Sequence, residues 1–164
     1  MTSKSRIRIG GASGFWGDAA LATPQLLASG GLDYIVYDYL AEVTMSIMAR
    51  ARAADSSKGY ATDFVSAAMA PNLAQIASQG VKVLANAGGV NPRACAEALR
   101  AVIADQGLDL RVAVVLGDDL SARAGEFSDV PEMFSGDAFP DPARVASIRH
   151  RSAGSRSRAA PTGR

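Results

Sequence analysis

A strand-like run followed by a loop of glycine or polar residues occurs four times in the chain, and segments of helical spacing separate the runs. The runs are residues 6–9, 33–37, 81–85 and 110–116. Strands that alternate with helices favour a parallel sheet, because a right-handed crossover returns the chain to the edge where each strand begins. The pattern predicts an α/β fold with a parallel sheet of about four strands and helices on both faces, in Rossmann-like layering.

Local signals set the predicted ends of these elements. Asp18 is a candidate N-cap for a helix over residues 19–29. Asn91 followed by Pro92 is a strong helix start, since proline suits the first helical turn. The run over residues 110–116 is almost continuously apolar, as expected for a strand that is covered on both faces.

The charge is unevenly distributed along the chain. The first 148 residues contain 12 basic and 16 acidic side chains, whereas the last 16 contain five arginines, His150 and no acid. An acidic body argues against nucleic acid as the main partner. The end of the chain also lacks apolar periodicity, so we expect a domain over residues 1–146 and a basic tail over residues 147–164 that is poorly ordered unless a partner fixes it.

The compartment follows from what the sequence lacks. Cys95 is the single cysteine, which excludes an internal disulfide and fits a reducing compartment. The sequence contains no apolar run of the roughly 18 residues that a membrane span needs. Its basic N-terminus has no apolar stretch like that of a signal peptide. We therefore predict a cytoplasmic protein that does not bind membranes.

The four loops that follow the runs carry side chains that are suited to ligand binding or catalysis. They include residues 11–18, 37–42, 86–89 and 117–119, which combine glycine with polar or ionisable side chains. Ligands of open parallel sheets bind outside the carboxyl ends of the strands. A ligand site shared by these loops is therefore predicted, and simple turns are the alternative.

In the first loop we assign ligand binding to Gly11, Ser13, Gly14 and Asp18. Backbone N–H groups of such a loop, and the helix N-terminus that follows, favour phosphate or carboxylate. The loop is not the dinucleotide fingerprint, because its middle glycine is missing, and it is not a Walker loop, because no Gly-Lys-Ser/Thr follows. A tight turn from strand to helix is the other interpretation.

Four acids are candidates for catalysis: Asp38, Glu42, Asp118 and Asp119. Asp38 and Glu42 stand four residues apart, one helical turn if the helix has begun. With Asp118 or Asp119 they are suited to acid–base catalysis or to binding a hard cation, and the metal is left unassigned. The alternative is that Asp38 and Asp119 cap helices.

In the third loop, Asn86, Gly88 and Gly89 are assigned to ligand binding. Asn86 offers a donor and an acceptor, either to a ligand carbonyl or to another loop. A Ser-His-Asp triad is not expected, because the only histidine, His150, lies in the basic tail.

Four aromatic residues flank these loops: Phe15, Trp16, Tyr37 and Tyr39. They are expected either to line an apolar pocket or to cover the core at its rim. Cys95 falls on the apolar stripe of a predicted helix, so we expect it in the core.

Residues 9–18, 38–45, 86–92 and 117–120 resemble four motifs of the acyclic terpene utilisation (AtuA-like) family, in the same order and at the same spacing. The resemblance covers residues from about 6 to 120. It implies a role in the breakdown of acyclic terpenoids such as citronellol and geraniol, which proceeds through CoA esters. The family has no assigned reaction or catalytic residues, so the resemblance leaves the mechanism open.

Residues and resemblance together lead us to expect an enzyme, or an enzyme fragment, that acts on a branched-chain carboxylate or its CoA thioester. The alternatives are a non-catalytic partner that binds such a ligand or supports a carboxylase, and a truncated remnant. Cofactors are left unassigned, and self-association is left open. Family members are usually longer and continue differently after about Ala146, so the chain is expected to be truncated or altered relative to the family.

Overall fold

The computed structural model describes residues 6–13 and 16–149, which belong to two compact units divided between Val115 and Leu116. In chain order the first unit has β1 (Ile9–Ser13), α1 (Ala19–Ser29), β2 (Tyr34–Tyr37), α2 (Glu42–Ala54), a π-helix (Phe64–Met69), α3 (Leu73–Gln79), β3 (Lys82–Ala85) and α4 (Pro92–Asp105). The second unit has 3-10 helices at Ser121–Phe127 and Pro142–Arg144.

The sheet is parallel, and β2 lies between β1 and β3. Ile35 of β2 pairs with Gly10 on one side and with Val83 on the other. The predicted α/β class and parallel sheet are confirmed. The predicted count of about four strands is wrong for the described residues, which form a sheet of three.

The predicted strand over residues 110–116 is the one that fails. From Leu108 to Val115 the side chains alternate between half-buried and exposed, as in an extended chain, but this part of the described backbone joins no sheet. The Arg100 guanidinium instead donates to the Val112 carbonyl at 2.8 Å. The apolar run predicts burial on both sides, whereas Val115 is 92% exposed.

Strand β1 begins later than the predicted run over residues 6–9 and extends into the glycine-rich segment. Gly11 and Ser13 therefore belong to the strand and not to the loop that follows it. Gly10 has a packing reason for being glycine, because an added Cβ would lie 2.9 Å from Cδ2 of Leu26 in α1. The bare backbone lets the helix pack closely on the strand.

The core lies on one face of the sheet. Tyr37 of β2 points to this face and meets Phe64 of the π-helix edge-on, with 5.3 Å between ring centroids. Its hydroxyl lies 2.9 Å from Oγ1 of Thr23 in α1. Ile35 and Leu27 are buried in the same cluster. Helix α1 and the π-helix thus cover the face from which β2 contributes Ile35 and Tyr37.

The opposite face of the sheet is open. Ile9, Val36 and Leu84 lie on it and are 63%, 38% and 51% exposed. They share a face because alternate residues of a strand project to the same side and paired residues project together. The expected covering of both faces by helices is therefore not observed within the described part of the chain.

Contacts between its two ends organise the second unit. The backbone N–H of Leu120 donates to the Ile148 carbonyl at 2.9 Å, and Asp119 forms an isolated antiparallel bridge with Arg149. Residues 150–164, which make up most of the predicted basic tail, lie outside the described residues. The predicted division between residues 146 and 147 stays a prediction.

Candidate functional site

The loops after β1, β2 and β3 lie at one edge of the sheet. Tyr37, the last residue of β2, pairs with Ser13 of β1 and with Ala85 of β3, so the three strands end together. This is the edge at which parallel sheets bind ligands. The fold therefore brings together three of the four predicted loops, whereas residues 117–119 belong to the second unit.

Asn86 joins the loops after β2 and β3. Its Nδ2 donates to Asp38 Oδ1 at 2.6 Å, and its Oδ1 accepts from the backbone N–H of Tyr39 at 2.7 Å. Asp38 is not the cap of α2, because that helix begins at Glu42 and Ala41 occupies the cap position. The Asp38 carboxylate and the Asn86 amide are both exposed at the edge of the sheet.

Glu42 opens α2 and is exposed. A carboxylate in the first turn interacts favourably with the helix N-terminus. Asp38 lies before the helix, so the two acids are not stacked on one helical face as the four-residue spacing predicts. The start of α2 is held by Thr44, whose Oγ1 accepts from the backbone N–H of Ala41 at 2.7 Å.

Asn91 anchors the loop after β3 to the loop before the π-helix. Its Nδ2 donates to the carbonyls of Ser56 and Lys58 at 2.9 and 2.8 Å, and its backbone N–H donates to the Gly59 carbonyl at 3.1 Å. Pro92 opens α4 as predicted, but the Asn91 side chain ties two loops together and makes no capping hydrogen bond.

Packing accounts for Gly88 and Gly89. An added Cβ at Gly88 would lie 2.7 Å from Cβ of Pro92. Gly89 has a φ of 51°, and a Cβ there would collide with the Met48 side chain and lie 2.8 Å from the Gly59 carbonyl oxygen. These glycines let the loop lie against α2 and α4, whatever else they contact.

Gly11, Ser13 and Gly14, the small residues predicted to bind a ligand after the first run, differ from Gly88 and Gly89. An added Cβ at Gly11 would meet nothing within 4 Å, so packing does not demand glycine there. Gly14, Phe15 and the side chain of Ser13 lie outside the described residues. The ligand-binding roles predicted for Gly11, Ser13 and Gly14 stay predictions.

A second polar cluster consists of Trp16, Asp18, Tyr39 and Asp63. Trp16 Nε1 donates to Asp63 Oδ1 at 2.5 Å. Asp18 directly precedes α1 without a side-chain capping bond, and Asp63 directly precedes the π-helix. Turns of π-helix occur frequently at functional sites. The hydrogen bond between Trp16 and Asp63 therefore joins the segment before α1 to the start of the π-helix.

Tyr39 is the buried member of this cluster, with 2% of its surface exposed. Its ring stacks on Tyr37 at 6.3 Å and meets Phe64 edge-on at 5.8 Å between centroids. Burial raises the pKa of its hydroxyl far above the usual value, and the negative charges of Asp63 and Asp18 contribute to the rise. Tyr39 is therefore a protonated hydrogen-bond donor at neutral pH.

Asp118 and Asp119 share one partner in the second unit. Arg149 donates from Nη1 to Asp118 Oδ1 at 3.2 Å, and its Nη2 lies 3.3 Å from Asp119 Oδ2. Asp119 also accepts from the backbone N–H of Ser121 at 3.0 Å, as a residue at a helix start does. These contacts give both acids a structural role and fix the position of Arg149.

A family model described as acyclic terpene utilisation family protein AtuA matches residues 7–150. The chain belongs to the AtuA family. No curated protein and no solved structure gives a match. The AtuA match spans the three loops at the carboxyl edge, the π-helix and the described part of the second unit. It extends the resemblance predicted from the four motifs to most of the chain.

The prediction that Cys95 lies in the core of the AtuA chain is confirmed, whereas the aromatic residues expected at the rim are divided between core and rim. Cys95 lies in the core, where burial raises the pKa of its thiol to about 11, so it is a neutral thiol at physiological pH. Tyr37 and Tyr39 are core residues, whereas Trp16 is half-buried. No local pattern singles out Asp63, because its bond to Trp16 joins residues 47 positions apart.

Two kinds of feature are absent from residues 6–13 and 16–149 of the AtuA chain. No helix there is long and apolar enough to cross a lipid bilayer. No three histidine, cysteine, aspartate or glutamate side chains in those ranges are grouped so that they could hold a metal ion.

Proposed function

We propose that this AtuA-family chain is an enzyme of acyclic terpenoid or branched-chain acid catabolism, which acts on a carboxylate or its CoA thioester bound at the carboxyl edge of the sheet. The family match supports the acyclic terpene context. The observation behind the site is the 2.6 Å hydrogen bond between Asp38 and Asn86, two exposed side chains at that edge.

Asp38 is the proposed acid–base group. A carboxylate at a strand end, accessible to solvent and oriented by a fixed amide, is suited to exchange a proton with a bound ligand. Asn86 fixes the orientation, because it bonds Asp38 with one atom of its side-chain amide and the backbone of Tyr39 with the other.

A matched pair of variants tests the placement of the site. Asp33 and Asp38 flank β2 at its two ends, and both are exposed. Calorimetric titration with citronellic acid should show that Asp38→Asn weakens binding by about tenfold, the value of one charge-assisted hydrogen bond that the protonated carboxyl group of the ligand donates to the Asp38 carboxylate. Asp33→Asn should bind like the unaltered protein. Equal affinities in both variants would remove Asp38 from the site.

The alternative is a non-catalytic protein that binds the same ligand or supports a carboxylase. One observation favours it: Asn86 already uses a donor and an acceptor inside the protein, as expected of a group that only ties loops together. Product analysis distinguishes the two functions. Ligand recovered unchanged after prolonged incubation with a binding-competent sample supports the binder, and conversion that is lost in Asp38→Asn supports the enzyme.

A further inference from the structure

The hydroxyl of Tyr39 is a buried polar group without a hydrogen-bond partner among the described residues. The neighbouring Tyr37 is equally buried, but its hydroxyl lies 2.9 Å from Thr23 Oγ1. Buried hydroxyls are nearly always hydrogen-bonded, because an unmet donor costs about 1–3 kcal/mol. A specific reason is therefore needed for the missing partner of Tyr39.

The surroundings of this hydroxyl are polar and acidic. Phe64, the residue after Asp63, meets the Tyr39 ring edge-on at 5.8 Å between centroids, so the start of the π-helix lies beside Tyr39. The charges of Asp63 and Asp18 contribute to the raised pKa of its hydroxyl. Asp63 is held by the Trp16 indole at 2.5 Å. Trp16, Asp18 and Asp63 are all half-buried, so the cluster meets the protein surface through them. Tyr39 is thus a donor at the inner end of a cluster whose outer members are partly accessible.

The arrangement selects among chemical groups. A phosphate or carboxylate would be repelled by Asp18 and Asp63, which lie in a setting where charges are poorly screened. A hydrocarbon would leave the Tyr39 hydroxyl unsatisfied. An ammonium group has no lone pair to accept the phenol proton. The group must therefore accept a hydrogen bond from Tyr39 without carrying a negative charge. An alcohol hydroxyl does so, because it accepts from Tyr39 and donates to a carboxylate.

We infer that Tyr39 and Asp63 form a sub-site for one uncharged hydroxyl of the ligand, on an acyclic branched chain. Tyr39 Oη donates to the hydroxyl oxygen, and the Asp63 carboxylate, oriented by Trp16, accepts the hydroxyl proton. This sub-site deepens the proposed function and rests on it, because it lies beside the loop that carries Asp38. The anionic part of the ligand binds away from this cluster.

Titration with three related probes tests the sub-site: citronellol, its methyl ether and citronellic acid. The ether accepts a hydrogen bond but cannot donate one to Asp63. Citronellol should bind about tenfold more tightly than the ether, the value of one added hydrogen bond to a charged group. Tyr39→Phe should weaken the binding of citronellol by a similar factor. Tyr37→Phe, which alters a hydroxyl that already has a partner, should leave the affinity unchanged.

Each outcome decides between the claims. If citronellol and its ether bind equally, or if Tyr37→Phe weakens binding as much as Tyr39→Phe, the hydroxyl sub-site is wrong. If the acid still binds in a manner that depends on Asp38, the proposed function survives that failure. If none of the three probes binds, the proposed function and the sub-site both fail. Melting curves of both tyrosine variants verify that the samples are folded.

Discussion

Tyr37 and Tyr39 form a matched pair for testing whether the second hydroxyl truly lacks a partner in the ligand-free protein. Both rings are 2% exposed and belong to one aromatic cluster, so replacing either by phenylalanine removes a single oxygen from the same environment. Tyr37→Phe breaks the bond to Thr23, whose hydroxyl still donates to the Ala19 carbonyl at 2.7 Å. Loss of one such bond should destabilise the protein by about 1 kcal/mol.

Tyr39→Phe should have the opposite sign. It removes a donor that pays the full cost of burial and gains no hydrogen bond, so the free energy of unfolding should rise by about 1 kcal/mol. Urea titration followed by circular dichroism measures both changes, and thermal midpoints should move by about 2–4 °C in opposite directions. If Tyr39→Phe is destabilised as much as Tyr37→Phe, the Tyr39 hydroxyl has a partner, such as an internal water, and the reasoning is refuted.

Three further predictions concern other parts of the molecule. Burial raises the folded-state pKa of Cys95 from 9.0 to about 11. The unfolded thiol therefore ionises first, and the free energy of unfolding should fall as pH rises from 9 to 11. Urea titrations across this range should show that Cys95→Val flattens the fall. Gly89→Ala should destabilise more than Gly107→Ala in the same assay: both glycines have positive φ, but an added Cβ meets nothing within 4 Å at Gly107. Arg149→Gln should lower the thermal midpoint by no more than about 4 °C, and less in high salt, because its pairs with two half-exposed acids are weak and screened.

Sequence reasoning located the carboxyl edge of the sheet because its signals are local. The strands around Ile35 and Val83 are short apolar runs, and each is followed by a polar loop residue that the fold brings to one edge, Asp38 and Asn86. Parallel pairing then forces the ends of neighbouring strands together. What the pattern left open was whether Asn86 bonds a ligand or a loop, since that depends on a partner 48 residues away.

The fourth strand failed for a physical reason that composition cannot show. Residues 110–116 are apolar enough for a strand with two covered faces, but a strand also needs an adjacent edge with which to pair. In the described chain this segment is only partly buried on one side, and the other face of the sheet is open around Val36 and Leu84. An apolar run indicates that a segment tends to be buried, but it does not show whether a neighbouring strand or helix is present to bury it.

The Trp16–Asp63–Tyr39 cluster shows where sequence patterns end. Trp16 and Tyr39 were expected to line a pocket or to cover the rim of the core, but the acid that binds Trp16 lies at the start of a π-helix, an element without a recognisable spacing signal. Burial of the Tyr39 hydroxyl without a partner is visible only once the helices are packed on the sheet.

The central claim is that the ligand binds at the carboxyl edge of the sheet. The most direct measurement is a map of backbone amide chemical shifts during titration with citronellic acid and its CoA thioester. We expect the largest changes in the loops after the strands, at residues 16–18, 38–41 and 86–91. Changes confined to the opposite edge, at residues 31–34 and 80–82, would contradict it.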